Sequence, residues 1–111
     1  PSNWQAVIYG GVPKAEQVAV LRKAPEIVVA TPGRLNEFLE KKKTELSHCV
    51  YLAIDEADRL LDLGFEPQLR SIFSYMRSDR QTLLFSATWP IEVQLLAEGL
   101  LAPSHVMVEV G

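Results

Sequence analysis

Cys49-Val50-Tyr51-Leu52-Ala53-Ile54 runs without a break into Asp55-Glu56-Ala57-Asp58. An uninterrupted apolar stretch of this length reads as a strand buried on both faces of a parallel sheet. Two carboxylates directly after it sit at the strand's carboxyl end, the edge where open α/β sheets bind ligands. A carboxylate there can hold hydrated Mg²⁺, which prefers oxygen ligands, keeps several waters and bridges nucleotide phosphates. Its neighbour can polarise an attacking water as general base. Asp55 and Glu56 are therefore candidates for these two roles. The bland alternative is a pair of solvated acids capping the helix that follows.

The rest of the chain repeats this strand-then-helix rhythm, which predicts an α/β fold with a mostly parallel sheet and flanking helices. Ala6-Val7-Ile8-Tyr9 is a short strand closed by Gly10-Gly11. Pro13 suits a first helical position, and Ala15, Val18, Ala19 and Leu21 form one apolar face of a helix running to Lys23. Ile27-Val28-Val29-Ala30 is uniformly apolar and again reads as a doubly buried strand. Thr31-Pro32 opens a helix with Leu35, Phe38 and Leu39 on one face, and Lys41, Lys42 and Lys43 fall in its last turn, where cations complement the helix dipole. Helical stretches from Asp58 to Leu63 and from Pro67 to Met76 are separated by Gly64. Gln81 to Phe85 is a further strand, Pro90 starts a helix carrying Val93, Leu96, Ala97 and Leu100 on one face, and Val106 to Val110 alternates like a final strand. No internal repeat, low-complexity segment or linker interrupts this order.

Other short motifs lie at strand ends. Ser86-Ala87-Thr88 follows the Gln81–Phe85 strand, so its hydroxyls emerge near the edge that carries Asp55 and can bond Asp58 or a phosphate; the alternative is a simple helix cap. Thr31-Pro32-Gly33-Arg34 sits at a helix N-terminus, where unpaired N–H groups and the dipole favour phosphate. Gly33 permits close approach of a ligand backbone, and Arg34 offers a bidentate fork to phosphate oxygens. Gly10-Gly11 offers a similarly uncluttered surface. Taken singly, the last two also read as an ordinary capped helix and a tight turn.

Composition sets outer bounds. At 111 residues, with 48% hydrophobic and 23% charged residues, the chain has the size and balance of one ordinary globular domain. No apolar run approaches a membrane span's roughly 18–20 residues, and no leader-like pattern opens the sequence. The single cysteine, Cys49, leaves no internal disulfide and no zinc cluster, which suits a reducing, intracellular compartment, nuclear or cytoplasmic. A net charge of −3 means that any nucleic-acid binding must come from a local surface. His48 and His105 are isolated and read as surface or strand-end residues, Cys49 as a small apolar filler, and Trp4 and Trp89 as packing residues rather than base-stacking platforms.

Asp55-Glu56-Ala57-Asp58 spells the motif of the DEAD-box RNA helicases, and Tyr51 to Leu69 resembles that family throughout. Ser86-Ala87-Thr88, Thr31-Pro32-Gly33-Arg34 and Gly10-Gly11 resemble further family motifs, in the family's order and spacing. The resemblance covers nearly the whole chain and implies the later part of the first RecA-like lobe, over residues 1–111. By that resemblance Asp55 would hold Mg²⁺ through water and Glu56 would orient the water that attacks ATP. Asp58, Ser86 and Thr88 would link nucleotide state to closure of two motor lobes, and Gly10, Gly11, Thr31, Pro32, Gly33 and Arg34 would hold one RNA strand by its phosphates. Such contacts carry little sequence information and are salt-sensitive.

The pattern is also incomplete. No G-x-x-x-x-G-K-S/T phosphate loop occurs, and Gly10-Gly11 is followed by Val12-Pro13. The family's adenine-reading glutamine motif and its second lobe are absent too. The expectation is a partial RecA-like (P-loop NTPase) domain lacking its phosphate-loop strand, a fragment of a longer protein, inactive alone because phosphoryl transfer depends on those parts. In a RecA-like sheet the missing strand would lie between the strand ending at Phe85 and the last strand, Val106 to Val110, so its absence would leave an apolar edge open to pairing with another chain. The alternative function is a non-catalytic RecA-like module that binds RNA or protein; a DNA-directed helicase of a related group fits the acidic motif less well.

Overall fold

The computed structural model describes residues 5–101 and 106–109. Strands and helices alternate as β1 (Gln5–Ile8), α1 (Lys14–Leu21), β2 (Ile27–Ala30), α2 (Pro32–Glu40), β3 (Tyr51–Ile54), α3 (Ala57–Asp62), α4 (Glu66–Ser74), β4 (Gln81–Leu84) and α5 (Ile91–Leu100). The chain divides into two units, one running to His48 and taking in Phe65–Arg77, the other formed by Cys49–Gly64 and the chain from Ser78 onward.

In the first unit β1 and β2 pair in parallel, with Ile8 opposite Ala30. The ladder continues one step, since Thr31 N–H donates to the Ile8 carbonyl at 2.9 Å. That bond delivers Thr31-Pro32 beside the Gly10-Gly11 turn, at the carboxyl ends of both strands. Ala6, Ile8, Leu21 and Phe38 form the core, with Val18, Val20 and Ala30 packed against it. The second helix packs on α4, whose Leu69 and Ile72 are buried.

In the second unit β3 and β4 pair in parallel, Ile54 opposite Leu84. Gln81 N–H to Val50 and Phe85 N–H to Ile54 extend that ladder at both ends. The face of α5 is the one its spacing predicts: Val93, Leu96, Ala97 and Leu100 are all buried. It packs on α3.

Several expectations fail for identifiable reasons. The uniformly apolar run Ile27–Ala30 predicts burial on both faces, yet Ile27, Val28 and Val29 are 47%, 37% and 55% exposed. A hydrophobic run states what a strand is suited to; burial needs a covering layer, and β2 lies in a pair rather than in a continuous sheet. Cys49 precedes β3 instead of opening it, and is half-buried rather than a core filler. Val106–Glu109 forms no strand, and Val106 and Val108 are 83% and 78% exposed. Alternation makes a strand only when a neighbour accepts its backbone bonds, and the sequence holds no phosphate-loop strand to stand beside it; Val110 lies outside the described residues. On α1 the inward stripe is Gln17 and Leu21, while Ala15 and Ala19 are exposed. The second helix ends at Glu40, so Lys41 to Lys43 follow its last turn instead of filling it.

Candidate functional site

The second unit brings the acidic motif and the Ser-Ala-Thr triplet together. Ile54, buried, ends β3, and Asp55 emerges into solvent with Oδ1 accepting the Glu56 N–H at 2.9 Å. Glu56 then adopts φ 53°, ψ 49°, the left-handed region, which for a non-glycine residue costs of order 1 kcal/mol. That reversal starts α3 abruptly. Ala57 is fully buried at the first helical position, with its N–H donating to the Phe85 carbonyl at 2.9 Å. Glu56 makes no side-chain cap, so the helix-capping alternative for this acid fails and its carboxylate stays exposed.

Asp58 is the hub of a small network. Its Oδ2 accepts the Thr88 hydroxyl at 2.7 Å and the Thr88 N–H at 3.0 Å, and its Oδ1 accepts the Arg59 N–H. The Asp58 N–H donates to Ser86 Oγ at 3.2 Å. Of the partners open to the Ser86 and Thr88 hydroxyls, the structure shows Asp58. The Thr88 hydroxyl bond, more than any other contact, lowers the Asp58 pKa below its ordinary value, against a partial opposing effect of desolvation. Parallel pairing of β3 with β4 makes this possible, because it sets the residues following both strands at one edge.

Whether Mg²⁺ suits this edge turns on the donors. Among the described residues no three His, Cys, Asp or Glu side chains cluster into a metal cage. Asp55 offers a solvent-facing carboxylate with one oxygen engaged by the backbone. That fits an ion held through water and completed by a ligand's phosphates, the usual coordination of Mg²⁺ at nucleotide sites.

In the first unit Gly10-Gly11 and the α2 N-terminus lie together past the ends of β1 and β2. Gly11 has φ 85° and needs glycine, and a Cβ at either glycine would meet nothing within 4 Å. Thr31 is the N-cap but makes no side-chain cap, and Pro32 has no N–H. The first helical bond is Leu35 N–H to the Thr31 carbonyl at 3.2 Å. The N–H groups of Gly33 and Arg34 therefore precede the helical ladder, which is the arrangement that attracts an anion. Gly33 faces protein rather than open surface: its Cβ would lie 3.7 Å from the Phe65 ring.

Arg34 does not present the fork expected of it. Its side chain is only 10% exposed, with Nη1 donating at 2.9 Å both to the Val12 carbonyl and to Gln17 Oε1, and with Nε 3.6 Å from Glu37. The guanidinium also lies over the Phe38 ring, 5.7 Å from its centroid. Gln17 is 4% exposed and donates through Nε2 to the Tyr9 carbonyl at 2.9 Å. It went unnoticed in the sequence, although a readable signal exists: it lies one turn before the buried Leu21 on an otherwise apolar stripe. Trp89 is partly exposed at 41% and His48 is exposed, while Trp4 and His105 lie outside the described residues.

The chain is similar to known proteins over most of its length. The DEAD/DEAH box helicase family model matches residues 2–96. The chain is 59% identical over 104 residues to the probable ATP-dependent RNA helicase ddx17 of Dictyostelium discoideum, and 56% identical over 104 residues to the probable ATP-dependent RNA helicase DDX17 of Homo sapiens. Each alignment covers 94% of this chain but only 13% and 14% of those relatives, so the chain spans about one seventh of their length. It superposes with a TM-score of 0.85 on the crystal structure of a DEAD box protein from the hyperthermophile Methanococcus jannaschii, at 36% identity, covering 90% of this chain and 27% of that one. With its acidic turn tied to a Ser-Ala-Thr triplet and a family match across most of its length, the chain belongs to the DEAD/DEAH box helicase family.

Proposed function

We propose that residues 1–111 act as the later part of the first RecA-like lobe of an ATP-dependent RNA helicase, in which ATP hydrolysis drives RNA strand separation or remodelling of RNA–protein complexes. The observation that carries this reading is the hydrogen-bonded set Asp58–Ser86–Thr88 at the sheet edge that also bears Asp55 and Glu56. RNA as substrate is supported by the names of the similar proteins, which are ATP-dependent RNA helicases.

Asp55, exposed and bound through one oxygen to its neighbour's N–H, would orient the waters of a Mg²⁺ ion, which when bound would neutralise phosphate charge. Glu56 is the general base. Its carboxylate makes no helix cap and is exposed to solvent. Asp58, Ser86 and Thr88 couple the acidic turn to the chain leaving β4, so a shift at the nucleotide is passed to the loop before α5. Gly10, Gly11 and the turn from Thr31 to Arg34 take the RNA phosphates through backbone N–H groups, giving affinity without sequence selection. The second RecA-like lobe and the phosphate loop are supplied by the longer parent protein. Residues 1–111 by themselves do not turn over ATP.

Glu56→Gln in the full-length protein tests this directly. Loss of turnover by about 10²-fold or more, with ATP affinity kept within a few-fold, is the outcome expected of a general base. A variant that hydrolyses ATP at the parental rate would remove Glu56 from the mechanism.

A further inference from the structure

The Gly10-Gly11 turn and the start of α2 reach phosphate only if something holds them in register, and the hydrogen bonds behind them identify what does. Gln17 is the only polar residue among the described ones that is buried, at 4% exposure. Its two amide ends face opposite ways along the site: Nε2 donates to the Tyr9 carbonyl just before the glycines, and Oε1 accepts from Arg34 Nη1. The same Arg34 nitrogen donates to the Val12 carbonyl just after the glycines. The turn between Tyr9 and Val12 is thus gripped at both ends, and the grip is anchored on α2 through Arg34. Phe38 beneath the guanidinium and Glu37 beside it restrict Arg34 further.

We propose that Gln17 is a positioning residue for RNA binding, and that with Arg34 it braces the Gly10-Gly11 turn against the N-terminus of α2. Arg34 acts from behind the surface, and the phosphates are met by backbone N–H groups. This rests on the RNA-binding reading of the two turns. It reverses the role that sequence suggests for Arg34, since its side chain is 10% exposed and its Nη1 is already shared between the Val12 carbonyl and the Gln17 amide.

The chemistry of glutamine separates this from a general packing role. Leucine at position 17 keeps the volume but loses both bonds. Glutamate keeps an acceptor for Arg34, strengthened by charge, but loses the donor to Tyr9. The experiment measures affinity of the full-length protein for a short polyuridine strand across a salt titration, with a non-hydrolysable ATP analogue present, and ATP affinity without RNA. Gln17→Leu is expected to weaken RNA binding about tenfold, the scale of losing buried hydrogen bonds, with ATP affinity unchanged. Gln17→Glu recovers part of that loss. Arg34→Ala weakens binding similarly, but the slope of log affinity against log salt stays at the wild-type value, because no phosphate contact is removed.

Wild-type RNA affinity in Gln17→Leu would overturn the brace, as would equal loss of RNA and ATP affinity, which marks general destabilisation. A salt slope flattened by about one in Arg34→Ala would return Arg34 to direct phosphate contact and overturn the proposal. A wild-type protein that does not bind RNA at all refutes the RNA-binding reading itself, a result distinct from each of these.

Discussion

Thr88 donates twice to one carboxylate oxygen of Asp58, and its hydroxyl bond is the main cause of the lowered Asp58 pKa. A lowered carboxylate pKa means that the network stabilises its turn above the ordinary carboxylate range and loses that contribution as pH falls through the lowered value. Thr88→Val keeps the branched shape and removes the hydroxyl. Its Asp58 should titrate closer to the ordinary value of 3.8, detectable as an upward move in a carboxyl-carbon NMR titration. An unchanged titration would mean that the hydroxyl bond is not made in solution. In the full-length protein, Thr88→Val should keep ATP hydrolysis within a few-fold while reducing strand separation more strongly; equal losses would argue against a coupling role. At this scale the sequence was half legible. Asp58, Ser86 and Thr88 could be placed near one another because each follows an apolar strand, and parallel pairing does the rest. The left-handed Glu56 and the inward Arg34 were not legible, since residue type does not say which φ a glutamate adopts or whether a guanidinium is already spent.

At the level of elements, α2 shows what pattern reading sees and what it misses. Its apolar face, with Phe38 and Leu39 buried, follows from helical spacing. Its end does not. Lys43 N–H donates to Phe38 at 2.8 Å and Lys42 N–H to Leu39 at 3.1 Å, which is a Schellman closure with Lys42 at φ 57° in the position glycine prefers. A run of lysines read for charge conceals that backbone requirement. Lys42→Gly should therefore stabilise the protein by about 0.5–1 kcal/mol, the left-handed strain relieved less the added chain entropy of glycine. A thermal melt no higher than wild type would show that the strain is absent or already offset. The same helix is tied to α1 through Glu37, which accepts from Lys14 and, at 2.9 Å, from Lys41. Those lysine bonds, Lys14 first, lower the Glu37 pKa from 4.5 to about 2. The tie is thus complete above pH 4.5 and lost as pH falls towards about 2. Lys14→Ala should raise the Glu37 pKa part of the way back, with Lys41 retaining the remainder; a titration still centred near 2 would assign the shift to Lys41 alone.

For the whole molecule, the alternation of strands and helices announced an α/β fold with parallel pairing, and β1 with β2 and β3 with β4 pair in that way. What did not follow was coverage. Runs such as Ile27–Ala30 carry the composition of strands buried on two faces, yet Ile27, Val29, Val7 and Tyr51 are all about half exposed. Composition records the surroundings a strand is built for, and those surroundings lie beyond one strand's own residues. Each pair also lacks a third hydrogen-bonded strand among the described residues, so ladder groups stay available on its outer side. A polypeptide of these 111 residues alone therefore exposes apolar strand residues in both units, Val7, Ile27 and Val29 in one and Tyr51 in the other. It should bind a hydrophobic dye and self-associate with rising concentration by light scattering. Val29→Lys places a charge in the middle of an exposed apolar strand and should shift that association to higher concentration, since edge lysines oppose strand pairing. In a full-length protein that covers β2, the same lysine would have to be buried, so the substitution that helps the fragment should lower the melting temperature of the whole. Opposite effects in the two settings would locate the missing cover over β2. A monomeric, dye-silent fragment, or a full-length protein indifferent to the lysine, would mean that β2 is a true outer surface and that its apolar run serves some other contact.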